Sequence, residues 1–270
     1  MAVPKTTLSM DDRRTIPTSQ RDEFRENGHI LVRALLHSPE VAVYRPLIAD
    51  AMRRYRVEGR RPAEKDAGRA ASIMNLWRLD EGVSRLVLSR RLGKVAADLL
   101  GVGNVRIYHD QAIFREPGSG PISWRQDQYS RPLDTESTIT LWLALGEITL
   151  EMGMPTFAAG SHRDGLVPDQ RPADESENRY RKYIKDHQYP VTRSAGMRAG
   201  DGSWHYGNTL YSVPANDSDR TLEMMSITYM ADGARVVQPA HERQTEDWDR
   251  WLMGLPPGRL AASELNPLIL

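Results

Sequence analysis

The stretch Val105-Arg106-Ile107-Tyr108-His109-Asp110-Gln111-Ala112-Ile113 marks the point at which the hydrophobic pattern of the chain changes. Its apolar side chains alternate with polar ones, which is typical of a β-strand. The alternation predicts that one face carries Val105, Ile107, His109, Gln111 and Ile113. Residues 138–145 alternate in the same way, with Ile139, Leu141, Leu143 and Leu145 on one side and Thr140 and Trp142 on the other.

Helices are predicted before this change of period. Residues 20–27 follow two good N-cap residues, Thr18 and Ser19, and precede Gly28, a typical C′ residue. A second helix opens at Ser38-Pro39 with an apolar stripe over residues 44–55, and residues 80–100 form a third.

Short strand-like stretches separated by Gly and Pro follow the helices. They are residues 122–128, 155–158, 202–206 and 222–230, with a polar, partly helical insertion at residues 168–187. Helices followed by many short strands predict an α+β fold built around a β-sandwich or barrel.

The composition excludes several classes of protein. The chain has 270 residues, a net charge of zero and no Cys, which excludes disulfides, thiolate nucleophiles and Cys-bound zinc. The zero charge gives no electrostatic basis for binding nucleic acid or an acidic membrane. Because residues 1–20 are polar and no apolar run reaches ~20 residues, we expect a cytoplasmic protein. Residues 1–17 are predicted to form a flexible arm, and residues 18–270 one domain.

One His-x-Asp sequence, His162-Arg163-Asp164, has the spacing of two ligands of a non-haem iron site. His187, His205 and His241 lie downstream as candidates for a third ligand. The glycines on either side, Gly160 and Gly165, favour a turn instead. His205, between Trp204 and Tyr206, is typical of a hydrogen-bonded core histidine.

A set of motifs occurs in one order along the chain: Tyr108-His109-Asp110-Gln111, Trp124-Arg125-Gln126-Asp127-Gln128-Tyr129, residues 138–145, Glu151-Met152-Gly153, Gly160-Ser161-His162-Arg163 and Gly200-Asp201 through Asn216 to Arg220. In this order the chain resembles the phytanoyl-CoA dioxygenase-like family of iron(II)/2-oxoglutarate oxygenases over about residues 18–235. The resemblance implies a double-stranded β-helix (jelly-roll, cupin-like) core with flanking N-terminal helices.

The chain departs from this family at the residues that bind its cofactors. The resemblance implies an iron-binding His and Asp in the Trp-x-Gln-Asp run, where this chain has Arg125 and Asp127. The second iron-binding His is replaced by Tyr211, and Leu222 stands where an Arg would bind 2-oxoglutarate. Arg has no acceptor for a metal, a Tyr ligand must lose a proton of pKa near 10, and Leu cannot pair a carboxylate. We therefore expect that the chain binds neither iron nor 2-oxoglutarate and needs no other cofactor.

The altered pocket predicts a tailoring enzyme of secondary metabolism that catalyses a redox-neutral acid–base reaction. Isomerisation, cyclisation, epimerisation or dehydration of a polyketide-like small molecule fits such a site. Arg125 would polarise a substrate oxygen, Asp127 and Tyr211 would move protons, and His205 would assist. The predicted substrate-lining residues are Tyr108, Gln111, Trp124, Gln126, Gln128, Tyr129, Trp204 and Leu222.

Other interpretations stay open at this point. The chain is alternatively a non-catalytic binding protein, a supporting subunit of an active paralogue, or a residual iron(II)/2-oxoglutarate hydroxylase. An Arg125–Asp127 ion pair that only seals a degenerate pocket is the purely structural interpretation. Both a homodimer and a complex with a paralogous subunit are compatible with the sequence.

Overall fold

The ten strands of the described residues form two antiparallel sheets. The computed structural model describes residues 10, 12, 14–57, 70–168 and 173–270. The strands are β1 (His29–Val32), β2 (Ala70–Met74), β3 (Val105–Arg115), β4 (Ile122–Arg125), β5 (Thr138–Ala144), β6 (Thr156–Ala158), β7 (Val191–Arg193), β8 (Gly202–Tyr206), β9 (Tyr211–Val213) and β10 (Leu222–Ala231). One sheet has the order β1-β8-β5-β10-β3-β2 and the other β4-β9-β6-β7. This is the predicted jelly-roll class of fold.

Six α-helices accompany the sheets in the described residues. They are α1 (Thr18–Asn27), α2 (Ser38–Val57), α3 (Glu81–Val87), α4 (Arg90–Leu100), α5 (Ala173–Asp186) and α6 (Glu242–Trp251). The predicted stripe of α2 is buried at Tyr44, Ile48, Ala51 and Met52. Helices α1 to α4 share one large apolar cluster with the outer face of the six-stranded sheet. None of the helices in the described part of the chain is long and apolar enough to cross a membrane.

The two faces of β5 separate the apolar layer from the space between the sheets. Ile139, Leu141 and Leu143 pack into the helical layer, as the alternation predicts. Trp142 packs on the opposite face in a second cluster, with side chains such as Phe157 of the four-stranded sheet. Polar groups on this inner face therefore lie inside the jelly roll.

Because of a β-bulge at Tyr108, the predicted faces of β3 are wrong. Ile107 pairs with Tyr229 of β10 and His109 with Thr228, so one residue on β3 has no counterpart. An extra residue reverses the alternation beyond it. Val105 and Ile107 face the helices, whereas His109, Gln111 and Ile113 face the space between the sheets.

Two helix boundaries also differ from the prediction. The predicted third helix is two helices, because Asp80 caps α3 and Ser89 caps α4 through backbone N–H groups of each first turn. Helix α1 begins at Thr18 without a side-chain cap, and it ends at Gly28 as predicted, with a φ of 78°.

The open edge of β3 is covered by two separate segments. Strand β2 pairs with the second half of β3. Residues 266–270 lie along the first half, where Ile107 N–H donates to Pro267 O at 3.3 Å and Ile269 N–H to Val105 O at 3.0 Å. Neither segment was predicted from the alternation pattern, and neither was the short strand β9.

The predicted N-terminal arm falls mostly outside the described residues. Of its described part, Met10 and Ile16 are buried in the large cluster, and Asp12 forms an ion pair with Arg91. This part of the segment contacts the helical layer. The insertion at residues 168–187 is helical over α5, as predicted.

Candidate active site

The carboxylate of Asp127 is the centre of the polar group between the two sheets. Strand β4 ends at Arg125, and Asp127 opens a 3-10 turn that runs to Ser130. Its Oδ2 accepts hydrogen bonds from Arg131 Nη2 at 3.2 Å, Thr140 Oγ1 at 2.8 Å and His205 Nε2 at 3.2 Å. Its Oδ1 accepts one from the Tyr211 hydroxyl at 2.8 Å. Protein donors thus engage both oxygens.

These donors decide the charge of Asp127. Burial alone would raise the pKa of its carboxyl, but the hydrogen bond from His205, the charge of Arg131 and the hydroxyl of Tyr211 hold that pKa well below its usual range. Asp127 is therefore an anion at neutral pH. It is a poor general base, because a base needs a pKa near the working pH.

A row of polar side chains crosses the six-stranded sheet beneath Asp127. On five neighbouring strands His109, Thr228, Thr140, His205 and His29 pair in sequence across the sheet. Burial, followed by the charge of Arg131, lowers the pKa of His109 to about 3. Burial and then His205 lower the pKa of His29 to about 4. These two imidazoles are neutral at neutral pH.

Arg131 provides the buried positive charge of the site. Its side chain is 2% exposed, and Nη1 donates to Thr138 Oγ1 at 2.6 Å. Nη2 contacts Asp127 and also donates to Thr140 Oγ1 at 3.2 Å. The guanidinium lies 5.5 Å from the centre of the Tyr108 ring, over its face. Arg131 and Asp127 thus form an ion pair.

A second carboxyl group, Asp247 of α6, lies on the other side of Tyr108. Its Oδ2 accepts hydrogen bonds from the Tyr108 hydroxyl at 3.0 Å and from Ser130 Oγ at 3.1 Å. Burial raises the pKa of Asp247 to about 6, although Tyr108, Ser130 and the charge of Arg131 oppose the rise. The two carboxyl groups of the site therefore have pKa values shifted in opposite directions.

The structure brings together the four residues predicted to be catalytic, in a different arrangement. Tyr211 and His205 bind Asp127 directly, and Arg125 is the cross-strand partner of Tyr211 on the same face of the sheet. The strand predicted over residues 122–128 ends at Arg125, and Asp127 belongs to the 3-10 turn that follows it. Tyr211 lies edge-on to Trp142, with ring centres 5.3 Å apart.

Two tryptophans predicted to line the pocket lie elsewhere. Trp204 is fully buried on the opposite face of β8 from His205 and stacks on Tyr229 in the helical layer. Trp124 packs outward beneath α5, with Tyr180 and Ile184. The alternation of the strands places both rings away from the inner space.

Two predicted lining glutamines tie loops together instead. Gln126 donates to Gly165 O and Asn208 O and accepts from Val167 N–H. Gln128 accepts from Thr138 Oγ1 at 2.6 Å and donates to Thr135 O at 3.0 Å. Their amide groups support the loops that carry the site.

The remaining predicted lining residues lie at different positions in the fold. Gln111 faces the inner space opposite Ser226, and Tyr129 stacks on His241 with ring centres 4.2 Å apart. Tyr108 occupies the bulge and contacts Arg131 and Asp247. Leu222 lies in the inner apolar cluster, about 20 Å along β10 from Thr228 at about 3.3 Å per residue.

The His-x-Asp sequence at His162 forms a turn, as its glycines predict. His162 stacks on Tyr206 and its Nε2 lies 3.0 Å from Arg25 O, whereas Asp164 accepts from the Tyr189 hydroxyl. Within the described ranges, no group of three or more His, Cys, Asp or Glu side chains is placed to hold a metal ion.

Sequence reasoning missed Arg131, Thr140, His109 and Asp247 as site residues. His109 is a polar residue on a strand face that is otherwise mostly apolar, and Thr140 is a polar residue next to apolar core positions of its strand. Both could therefore have been identified as candidate site residues from the sequence. Asp247 lies 120 residues from Asp127, on a helix whose position only the fold reveals.

The model of the phytanoyl-CoA dioxygenase (PhyH) family matches residues 24–222 of this chain. Because this range is more than half of the chain, the protein belongs to the phytanoyl-CoA dioxygenase family.

Several solved structures share the fold. The non-heme alpha-ketoglutarate-dependent carbocyclase SnoK from nogalamycin biosynthesis is 24% identical, with a TM-score of 0.78 over 94% of this chain and 97% of that one. The epimerase SnoN from the same pathway is 22% identical, with a TM-score of 0.74 over 93% and 95% of the two chains. SnoN has also been solved in complex with Fe3+, alpha-ketoglutarate and nogalamycin RO.

A curated relative matches part of the chain. A "probable alpha-ketoglutarate-dependent hypophosphite dioxygenase" from Stutzerimonas stutzeri is 28% identical over 97 residues, which are 36% of this chain and 33% of the relative. The match thus spans about a third of that protein.

Proposed function

We propose that this chain is a tailoring enzyme that catalyses a redox-neutral acid–base reaction on a small molecule between the two sheets, without iron or 2-oxoglutarate. The observation that carries the proposal is the state of Asp127. Its carboxylate lies at the position that the family resemblance gives to a metal ligand, and it accepts four hydrogen bonds from protein side chains.

The side chains around Asp127 fit an iron ion poorly. The guanidinium of Arg131 already pairs with Oδ2, and the Tyr211 hydroxyl donates its proton to Oδ1. A phenol that donates this proton is not the phenolate that a metal requires. Arg125 has no lone pair to offer at the position of the missing histidine. The proposed reaction therefore uses no iron.

The proposed base is His205 rather than Asp127 or Tyr211. Asp127 only accepts hydrogen bonds, so His205 Nε2 carries the proton in their contact, and in the neutral form of the ring the lone pair is on Nδ1. Among the described residues this Nδ1 has no hydrogen-bond partner, although it is buried. A carboxylate that fixes the tautomer and stabilises the imidazolium is the arrangement of an acid–base dyad.

In the proposed reaction His205 Nδ1 removes a proton from the substrate and the proton returns to the same molecule, at another atom in a cyclisation or at the opposite face of the same carbon in an epimerisation. Arg125, across the sheet from Tyr211, binds the oxygen on which negative charge develops. No electron acceptor is needed, because the proton is returned and the oxidation state is unchanged. SnoK and SnoN are named as an alpha-ketoglutarate-dependent carbocyclase and an alpha-ketoglutarate-dependent epimerase. Their reaction types support the choice of a cyclisation or an epimerisation and of a polyketide-like substrate, and the proposed reaction differs from theirs in using no alpha-ketoglutarate.

A second candidate is a non-catalytic binding protein or a supporting subunit. It is favoured by the same observation, because a carboxylate saturated by four protein donors is also what a purely structural buried ion pair requires. The two candidates differ in whether His205 is needed for turnover.

The first test is an anaerobic titration of the metal-free protein with iron(II) and 2-oxoglutarate, followed by visible absorption. We expect no saturable charge-transfer band, and such a band would overturn the proposal.

The second test is a screen of polyketide-like metabolites without oxygen or added cofactor. We expect turnover that His205→Gln abolishes and that His187→Gln, an exposed histidine of the turn after α5, leaves intact. Turnover that survives His205→Gln would exclude the assigned base.

A further inference from the structure

We propose that Arg131 is an internal counter-ion, a positioning residue that holds the Asp127 carboxylate and keeps divalent cations out of the space between Asp127, His205 and Tyr211. This inference rests on the proposed function, and it names a residue that would exclude a metal ion in addition to the substitutions at Arg125 and Tyr211. The resemblance to the family points to Arg125 instead.

The position of Arg131 is built by the surrounding fold. Its guanidinium donates to hydroxyls of two β5 residues, Thr138 and Thr140, and to Asp127, and its side chain is almost fully buried. Its own backbone N–H donates to Gln128 O at 3.1 Å, which fixes the end of the 3-10 turn. A guanidinium with three side-chain acceptors is held in one geometry rather than swinging freely.

The backbone also leaves room for the guanidinium. A Cβ on Gly207 would lie 2.2 Å from Thr138 Oγ1 and 2.8 Å from Arg131 Nη1. A side chain at this position would therefore collide with both partners of the Arg131–Thr138 hydrogen bond. The glycine allows the loop after β8 to close over the charge.

Asp127 and His205 are the two groups of this cluster whose atoms could serve a cation as ligands. Asp127 Oδ2 and His205 Nε2 are 3.2 Å apart in a hydrogen bond, and a cation that binds both would replace the proton on Nε2. Two ligands of a divalent metal ion at right angles are roughly 3 Å apart, because each bond is about 2.1 Å long. A fixed positive charge at hydrogen-bond distance from the same Oδ2 repels such an ion and occupies its lone pair.

Cobalt(II) tests this role, because its visible absorption reports coordination by nitrogen and oxygen. We expect no saturable cobalt band from the wild-type protein and a saturable band from Arg131→Ala, with affinity higher by roughly tenfold or more. Arg131→Lys retains the charge and should give no band. The double variant Arg131→Ala/Asp127→Asn should lose the band of the single variant.

A matched control separates the site from the general effect of freeing buried carboxylates. Arg91 is also a buried arginine, paired with Glu40 and Asp12 in the helical layer. Arg91→Ala therefore frees two carboxylates far from the site, and we expect no band from it. A band of equal strength from Arg91→Ala would overturn the inference.

Binding of free guanidinium ion tests whether the space left by the Arg131 side chain is the site that excludes the metal. Millimolar guanidinium should bind Arg131→Ala, raise its melting temperature and displace cobalt, whereas the same concentration of sodium should do neither. If Arg131→Ala does not fold, Arg131→Gln gives the same cobalt test, since its neutral side chain can still bond to Thr138.

The outcomes for the two proposals are distinguishable. A cobalt or iron band from the wild-type protein overturns the proposed function. A wild type without a band, together with folded Arg131→Ala or Arg131→Gln that also gives none, overturns only the role of Arg131.

Discussion

At Asp127, one carboxylate joins the two sheets of the jelly roll. Thr140 and His205 reach it from β5 and β8 of the six-stranded sheet, and Tyr211 reaches it from β9 of the other. Arg131 supplies the charge that makes burial of the anion tolerable, since a buried ion is stable only when it is paired and hydrogen-bonded. The contacts that lower the pKa of Asp127 therefore also connect the two sheets at this point.

Asp127→Asn should destabilise the protein by about 3 kcal/mol, because it leaves the buried charge of Arg131 without its anion. Urea unfolding at neutral pH measures this loss. Asp249→Asn, an exposed position on α6, is the matched control and should be nearly neutral. Equal stability of the two variants would mean that the Arg131–Asp127 pair contributes nothing to folding.

At the scale of the element, α6 connects the C-terminal part of the chain to the site. It lies beyond the residues that match the family, yet its Asp247 accepts hydrogen bonds from Tyr108 on β3 and from Ser130 in the turn that Asp127 opens. The bulge of β3 places the Tyr108 hydroxyl within reach of α6. One irregular strand thus links a helix outside the matched range to the charged group within it.

Asp247 predicts a pH dependence of stability with a definite sign. Its folded pKa of about 6 is higher than its ordinary value of 3.8, so its contribution to stability is complete below about pH 4 and is lost as the pH rises through 6. Asp247→Asn has no such titration. The free energy of unfolding of the wild type should therefore fall relative to this variant between about pH 4.5 and about pH 7.5.

Urea unfolding at the two pH values measures that difference. Arg131, Tyr108, Ser130 and Trp251 face Asp247 and stay unchanged in the variant. Asp249→Asn should show no change of the same kind. A difference that is constant with pH, or that moves in the opposite direction, would contradict the raised pKa.

At the scale of the whole molecule, the six-stranded sheet has one face that packs against the helices and one face that carries the candidate active site. The helical face is apolar and contains Trp204, whereas the inner face contains Trp142, edge-on to His205 with ring centres 5.5 Å apart. Two tryptophans on neighbouring strands therefore have different roles.

Trp204→Ala and Trp142→Ala should each cost about 3 to 5 kcal/mol, because each removes a large buried ring. Only Trp142→Ala should shift the NMR resonances of the His205 ring, since Trp204 points to the other side of β8. Chemical-shift changes at His205 in Trp204→Ala as large as those in Trp142→Ala would contradict the assignment of the two faces.

The sequence predicts the class of fold, since the periods of the helices and of β5 follow from local hydrophobic spacing. It also predicts the cluster of Asp127, His205 and Tyr211, because the resemblance to a family aligns Asp127 and Tyr211, and His205 is near the latter in sequence. It does not predict the faces of β3, since one extra residue at Tyr108 reverses them. The role of Arg131 was also missed, because its partners on β5 come into contact only when the sheet forms.

The segment at residues 266–270 has a consequence for self-association. It occupies backbone groups of β3 that would otherwise form a bare sheet edge, and Ile269 is buried against Gly93 of α4. Exposed strand edges recruit strands from other molecules. A chain that lacks these five residues should therefore aggregate on storage, measured by light scattering, while a variant with Leu268→Ala, an exposed side chain in the same segment, should stay dispersed.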